Sequence, residues 1–377
     1  MRILVLPRDA NPYQGLLYEE MTNLGARITY LGGLTPSWTL NVLLLPFEVM
    51  VRRLAGARLI HIHWVFFFAP PLTARTSAGR WAMQLWFQAW LRICRSIGIR
   101  LVWTAHNVLP HEPVFADDVS ARRCLVTSSD LVIAHSQSTL DQLAGLGMTA
   151  SKVAIIRHGP VGQVPPAEAL RVPGTGDGPR HFLFIGHVKE YKGVDDLLTA
   201  YMTLLPDVTA HLTVAGECTD PELRSRLNAT AGTAGTSITL RLQRLQEDEI
   251  ARLLSAADAV VLPFRRVTTS GSAMLALTYG RPLIVPNLPG FGDLPDGATL
   301  RYKDGPAGLV SAMKSAARAD GAELAAMSRV ARSYACGTPW GEIAQRTMLE
   351  MREVLNGNVT CHLDSEGPDR TATSNLR

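Results

Sequence analysis

Residues 259–286 read AVVLPFRRVTTSGSAMLALTYGRPLIVP. The run 259–262 is short, apolar and β-rich, the pattern of a strand buried on both faces. Thr268, Thr269 and Ser270 are helix-capping types, and Gly271-Ser272 opens the next segment. Residues 273–279 have helical spacing and good helix formers, Gly280 is a stop, and 282–285 begins another strand. Thr269, Ser270, Gly271 and Ser272 therefore fall where a loop enters a helix at the carboxyl edge of a sheet. Free backbone N–H groups and the positive end of the helix dipole meet there, which suits a phosphate. An ordinary capped helix has the same local pattern.

The same alternation extends in both directions. Strands are expected at 2–6, 27–31, 59–64, 100–104, 131–134 and 153–157, with helices at 14–24, 38–54, 81–97 and 136–146. Residues 158–180 are dense in Pro and Gly and lose periodicity, which predicts a linker at 161–180 after a first domain spanning 1–160. Strands resume at 181–185, 211–215, 238–242, 259–262 and 283–285, with helices at 192–205, 221–229 and 247–256, so a second domain covers 181–338. Residues 305–356 are mostly helical, and the last helix, 339–356, is expected to cross back to the first domain. The tail 357–377 is polar and aperiodic, the composition of a disordered segment. The fold class is α/β, two Rossmann-like domains facing each other across a cleft. Ligands of such sheets bind outside the carboxyl ends of the strands.

Composition narrows the function classes. Residues 1–160 carry 15 Lys and Arg against 9 Asp and Glu, a net +6, while the remainder is net −2. A basic first half points to an anionic partner there, a membrane surface or a phosphorylated acceptor, or to a solvated basic face. The five cysteines, Cys94, Cys124, Cys218, Cys336 and Cys361, are scattered without CxxC spacing, which argues against a zinc site or a disulfide framework and fits a reducing cytoplasm. The start, MRILVLPRDA, is a strand pattern rather than a signal peptide, and no apolar run is long enough to span a bilayer. Because the first strand leads into PRDANPYQG and not GxGxxG, a nicotinamide dehydrogenase is poorly supported.

The segment FIGHVKEYKG (184–193) resembles the FxGxxxxYKG element that opens the second domain of GT-B glycosyltransferases of the family 4-like group. LTVAGE (212–217), the segment 247–256 before AVVLPF, and TSGSAMLALTYGRPLIVP follow in that family's order. RILVLP, HIHW, WTAHN, DLVIAHS and VAIIRHG fit its first domain, so the resemblance covers about residues 1–355. The TSGS form followed by GRP is similar to a subgroup among bacterial exopolysaccharide and mannosyl transferases. One departure is clear. The family's two glutamates, eight positions apart, fall on Val267 and Leu275, which removes a usual ribose contact and leaves stereochemistry open.

The resemblance implies transfer of a hexosyl group from a GDP- or UDP-sugar to an acceptor hydroxyl, such as one on a lipid-linked oligosaccharide in polysaccharide biosynthesis. Rivals are a sugar-nucleotide epimerase of the same fold and a non-catalytic sugar-nucleotide-binding subunit. No cofactor, bound metal or nucleic-acid partner is expected, since lysines and a helix end hold the diphosphate. Asp195-Asp196, a possible metal pair, reads better as a solvated helix face.

Donor contacts are expected from Lys189, Lys192, Glu217 and the Thr269–Ser270–Gly271–Ser272 loop, with Gln243–Gln246 near the base. Lys192 would neutralise the departing diphosphate. His106 follows a strand onto the cleft floor and is the first choice of catalytic base; Asp9 is the second. Acceptor contacts are expected from Asn11, Tyr13, Gln14, His63, His111 and Glu112. His61 and His63 share one strand face, and a core role suits His61 better. Trp81, Trp86, Phe87 and Trp90, flanked by Arg75, Arg80, Arg92 and Arg95, form either core or a peripheral contact with the inner face of a membrane.

Overall fold

The computed structural model describes residues 1–9, 11–110, 112–175 and 178–357. His111 and the tail beyond Gly357 lie outside the described residues. Two six-stranded parallel sheets organise the chain.

The first sheet contains β1 (Arg2–Leu6), β2 (Arg27–Tyr30), β3 (Leu59–Ile62), β4 (Arg100–Thr104), β5 (Leu131–Ala134) and β6 (Val153–Ile155), in the spatial order β2-β1-β3-β4-β5-β6. Its connecting helices are α1 (Pro12–Asn23), α2 (Trp38–Leu54), the single turn α3 (Pro71–Ala74), α4 (Ser77–Ser96), α5 (Asp118–Ser128) and α6 (Gln137–Gly145). Alternation of side chains sorts the strands onto two faces. Leu4 and Leu6 pack with Val42, Leu45, Phe87 and Trp90 on the α2–α4 side, whereas Ile3 and Val5 pack with Leu17, Met21, Ile343 and Met351 on the other.

The second sheet contains β7 (Arg180–Ile185), β8 (Ala210–Ala215), β9 (Ile238–Arg241), β10 (Ala259–Val261), β11 (Leu283–Pro286) and β12 (Thr299–Tyr302), in the order β12-β11-β10-β7-β8-β9. Renumbered within the domain this is 3-2-1-4-5-6, the dinucleotide-fold order, with its topological switch between β7 and β10. Helices α7 (Val194–Leu204), α8 (Pro221–Thr233), α9 (Glu247–Ala256), α10 (Gly271–Thr278), α11 (Gly305–Arg318) and α12 (Gly321–Cys336) surround it. Strand β12 has no counterpart in the sequence reading, nor does α5. The helix expected from Lys192 starts two residues later, because Gly193 turns left-handed at φ 62° and ends a short turn carrying Lys192.

The last helix among the described residues, α13 (Trp340–Asn356), lies against α1 and closes the second face of the first sheet. Two contacts fasten it. Trp340 Nε1 donates to the Pro160 carbonyl at 2.8 Å, and the buried Lys152 ammonium reaches Glu350 at 2.9 Å and Glu353 at 2.6 Å. The segment leading into β7 is held by Asp258, whose carboxylate accepts from Arg171, Gly174 N–H and His181 N–H. Arg281 of the GRP triplet is fully buried and donates to the carbonyls of Tyr279, Ala257 and Arg171, so its place is structural.

Candidate active site

The switch point of the second sheet gathers Gly186, Lys192 and Ser272, the last two expected on the donor side. β7 leads directly into Gly186, whose φ of 130° suits glycine. A Cβ there would lie 2.5 Å from Ser272 Oγ and 3.2 Å from Lys192 Nζ. Bare backbone, a hydroxyl and an ammonium thus meet at one point. The Lys192 ammonium sits 4.8 Å from the Phe264 ring centre and has no carboxylate at ion-pair distance among the described residues. Burial, then the neighbouring Lys189, pulls its pKa down to about 8. A desolvated cation without a counterion is poised for an anion.

Four residues of the TSGS loop were expected to meet that anion, and the structure divides them. Ser270 Oγ accepts from Ala273 N–H at 3.1 Å and is committed to capping α10. Thr269 Oγ1 donates across the cleft to the His106 carbonyl. Gly271 and Ser272 remain, in the first turn of α10, with no backbone acceptor for their N–H groups among the described residues. Val267 and Leu275, where a carboxylate pair would stand, are partly buried apolar residues packed on the domain core.

Lys189 and Glu217 lie further out. Lys189 pairs at 3.7 Å with Glu112 of the first domain, both exposed, bridging the cleft. Glu217 faces His187 at 3.8 Å and shares a hollow with Arg224, Leu242, Gln243 and Arg244. Asp195 and Asp196 are both bound by Arg265, at 2.8 and 2.9 Å.

The first domain presents a different arrangement, a chain of buried imidazoles. Thr104 Oγ1 lies 2.7 Å from His61 Nε2, and Tyr18 OH lies 2.7 Å from His61 Nδ1 and 2.6 Å from His63 Nε2. His63 Nδ1 is 2.9 Å from His106 Nε2, His106 Nδ1 is 3.3 Å from His135 Nε2, and His135 Nδ1 is 2.9 Å from the Ile156 carbonyl. A carbonyl only accepts, so His135 carries its proton on Nδ1. Its bare Nε2 then requires Nδ1–H on His106, which requires Nδ1–H on His63. Tyr18 donates to His63, His61 donates from Nδ1 to Tyr18, and Thr104 donates to His61. One direction satisfies every link with all four rings neutral.

Burial agrees with neutrality. His61 and His135 are held down at about 3, chiefly by burial. His63 and His106 are also held well below the ordinary imidazole range, by burial and then by neighbouring imidazoles.

Several of the expected residues sit within or beside this chain. Both ring nitrogens of His106 are engaged, so no lone pair is left for an acceptor hydroxyl, and its ring is stacked on Trp64 at 4.5 Å. His63 is 1% exposed and belongs to the chain rather than to the acceptor surface. Tyr13 is 2% exposed, wedged among His106, His135, His158 and Trp340. Gln14 is 1% exposed; its amide donates to the Pro7 carbonyl and accepts from Asp9 N–H, bracing the loop after β1. Asn11 is exposed and caps α1 by accepting from Tyr13 N–H. Asp9, half-buried at the first sheet's switch between β1 and β3, accepts from Asn11 N–H through Oδ1; Oδ2 has no protein donor among the described residues. Sequence reasoning missed Tyr18, His135 and His158. HIH at 61–63 and AHS at 134–136 mark strand ends, but nothing local shows that those ends converge.

These features define the GT-B architecture, two Rossmann-like domains built on parallel sheets. Residues 179–319 match the family described as Glycosyl transferases group 1. A GDP-mannose:glycolipid 4-beta-D-mannosyltransferase of Xanthomonas campestris pv. campestris is 27% identical over 250 residues, 64% of this chain. The match spans 64% of that relative's length, a little under two thirds. The solved sucrose-phosphate synthase of Thermosynechococcus elongatus superposes with a TM-score of 0.72 at 16% identity, covering 94% of this chain and 99% of that one. Anabaena HepE in complex with UDP gives 0.69 at 15% identity, covering 94% and 100%. At those identities the structures establish the shared fold.

Proposed function

We propose that the protein is a hexosyltransferase that moves a sugar from a nucleoside-diphosphate donor to an acceptor hydroxyl. The observation that carries this reading is the convergence of Gly186, Lys192 and Ser272 at the switch between β7 and β10. The Gly271 and Ser272 N–H groups receive the distal phosphate, and Lys192 offsets the charge that grows on the diphosphate as it leaves. Lys189 adds positive charge at the rim. With apolar residues at Val267 and Leu275, the ribose and base fall to Glu217, Gln243 and Arg244 in the adjoining hollow. Asp9 takes the proton of the acceptor hydroxyl, in place of the occupied His106.

The Xanthomonas relative is named for GDP-mannose and a glycolipid, and HepE was solved with UDP, so GDP and UDP are the first nucleotides to try. A glycolipid acceptor places the protein at the inner face of a membrane as a peripheral visitor. No helix among the described residues is long and apolar enough to cross one.

A thermal-shift panel of nucleoside diphosphates tests the donor site. A ligand at ~100 times its Kd raises stability by ~2.7 kcal/mol. Incubation of the matching nucleotide sugar with lipid-linked acceptors then tests transfer by mass. Conversion of the donor to an isomer without acceptor would replace transfer by epimerisation.

A further inference from the structure

Helix α2 carries two opposed faces. At 3.6 residues per turn, the buried Asn41, Val42, Leu45, Glu48 and Val49 share one arc. Leu40, Leu43, Phe47, Met50, Val51 and Leu54 occupy an arc of about 100° on the opposite side. All six are exposed, Phe47 by 62% and Leu54 by 84%. Helix α4 lies alongside, with Trp86 Nε1 donating to the Val42 carbonyl at 3.0 Å. Its own outer face shows Trp81, 59% exposed, with Leu85 about one turn and Arg92 about three turns further on. A continuous apolar stripe of this size on a helix is a contact surface rather than scattered exposure.

Charge identifies the contact. Between Leu31 and Arg100 the sequence contains eight arginines, no lysine and a single acid, Glu48. That acid is buried, bound to Gly32 N–H and facing Arg52. Arg58, Arg75, Arg92 and Arg95 are exposed. The segment that supplies the stripe therefore offers no exposed carboxylate. A second copy docked here would set arginines against arginines, which like-charge repulsion opposes. An anionic bilayer complements both properties, since acyl chains receive the apolar stripe and headgroups receive the guanidinium groups.

We infer that the outer face of α2, with Trp81 and Leu85 of α4, docks the first domain onto an anionic lipid bilayer. The sequence pointed to the α4 aromatics for such a contact, but Phe87 and Trp90 are fully buried, and most of the exposed apolar surface belongs to α2. The inference deepens the lipid-linked acceptor reading and rests on it for its purpose. The binding itself requires neither donor nor acceptor.

The test is flotation of the full chain with vesicles of phosphatidylcholine alone or with about 30% phosphatidylglycerol. Three chains are compared: wild type, Phe47→Ser/Leu54→Ser, and Arg75→Glu/Arg92→Glu. Wild type should float with anionic vesicles and be released by high salt, because the surface attraction is screened. Each double variant should lose about tenfold or more of that binding, while nucleoside-diphosphate affinity stays unchanged. Equal flotation of all three chains would overturn the assignment, as would absence of wild-type flotation at low salt. A dimer abolished by Phe47→Ser/Leu54→Ser, without vesicle binding, would give the face to a second copy instead. Vesicle binding gained only when the chain ends at Gly357 would give it to the chain's own terminus. Intact nucleotide affinity in every variant separates failure here from failure of the transfer reading.

Discussion

Replacing Tyr18 with Phe removes one oxygen atom from the centre of the imidazole chain and keeps the ring that fills the core. That oxygen accepts from His61 Nδ1 at 2.7 Å and donates to His63 Nε2 at 2.6 Å. His61 and His63 are 0% and 1% exposed, so neither orphaned nitrogen reaches solvent. Each unmet buried group costs roughly 1–3 kcal/mol, giving ~2–6 kcal/mol for the pair. His61 can soften this by moving its proton to Nε2, with Thr104 turning to accept, so the lower half of the range, ~2–4 kcal/mol, is expected. Urea unfolding followed by tryptophan fluorescence reads it well, since six of the seven tryptophans lie in the first 110 residues. Nitrogen shifts of the imidazoles should show Nδ1–H on His61, His63, His106 and His135 in the wild type. A loss under ~0.5 kcal/mol, the size of an ordinary surface change, would refute the chain. So would an Nε2–H tautomer on any of the four. The pH sign is equally fixed. These imidazoles have folded pKa values below their unfolded value, so the unfolded chain binds more protons between about 6.5 and 3. Their contribution to stability is complete above about pH 6.5 and falls as pH drops through that window.

Nucleotide affinity should be constant below about pH 8 and weaken above it, as Lys192 loses its proton in the free protein; Lys192→Met should bind weakly and lose that dependence, by calorimetry across pH 7 to 9.5 at intervals of about half a unit. A Cβ built on Gly271 meets nothing within 4 Å, so Gly271→Val should keep wild-type stability while filling the anion site, and nucleoside-diphosphate Kd should rise by about tenfold or more. Lys152→Met leaves Glu350 and Glu353 facing an apolar stem, and about 3 kcal/mol of stability should be lost, in line with breaking a buried pair; the amides of α13 should exchange faster.

The second domain was easier to read than the first, for a physical reason. The corner proposed for the donor is local: Gly186 directly follows β7, Lys192 lies in the turn after it, and the α10 N-terminus closes the loop after β10, so linear order places them at neighbouring strand ends. The exception within it is β12, four residues with Arg301 in the middle, on the edge of the sheet where half the side chains meet water. Helix α5 escaped because its run DVSARRCLVTS buries Arg122, which lies over Trp103 at 4.7 Å, so its polar residues do not mark an outer face. In the first domain the alternation of His61 and His63 showed that they share a face, and no more. Their partners Tyr18, His106 and His135 come from α1 and the ends of β4 and β5, and only the strand order β1-β3-β4-β5 brings them side by side. The exposed stripe on α2 was hidden by a sequence that is apolar all round, where burial and exposure leave the same residue types.

The acid–base assignment turns on that distinction. A ring whose two nitrogens are both bonded takes up a proton only by breaking a link, and His106 would then become a buried cation beside His63 and His135. Burial already opposes that charge. Asp9 has the opposite circumstances. Its backbone N–H is pinned at 3.0 Å by the buried Gln14 amide, which also holds the Pro7 carbonyl at 2.8 Å, so the loop is braced from below. Asn11 N–H holds Oδ1 at 2.7 Å, and Oδ2 has no protein donor among the described residues, as the proposed base requires. Asp9→Asn preserves size and an oxygen acceptor for Asn11 while removing basicity, so transfer should fall by ~10²–10⁴-fold with donor affinity and folding unchanged. Gln14→Leu should lower transfer without touching the carboxylate, by freeing the loop that aims it. His106→Ala should instead lower stability along with activity, since it cuts the imidazole chain at its middle. Wild-type transfer by Asp9→Asn, measured at saturating donor, would remove Asp9 from the chemistry.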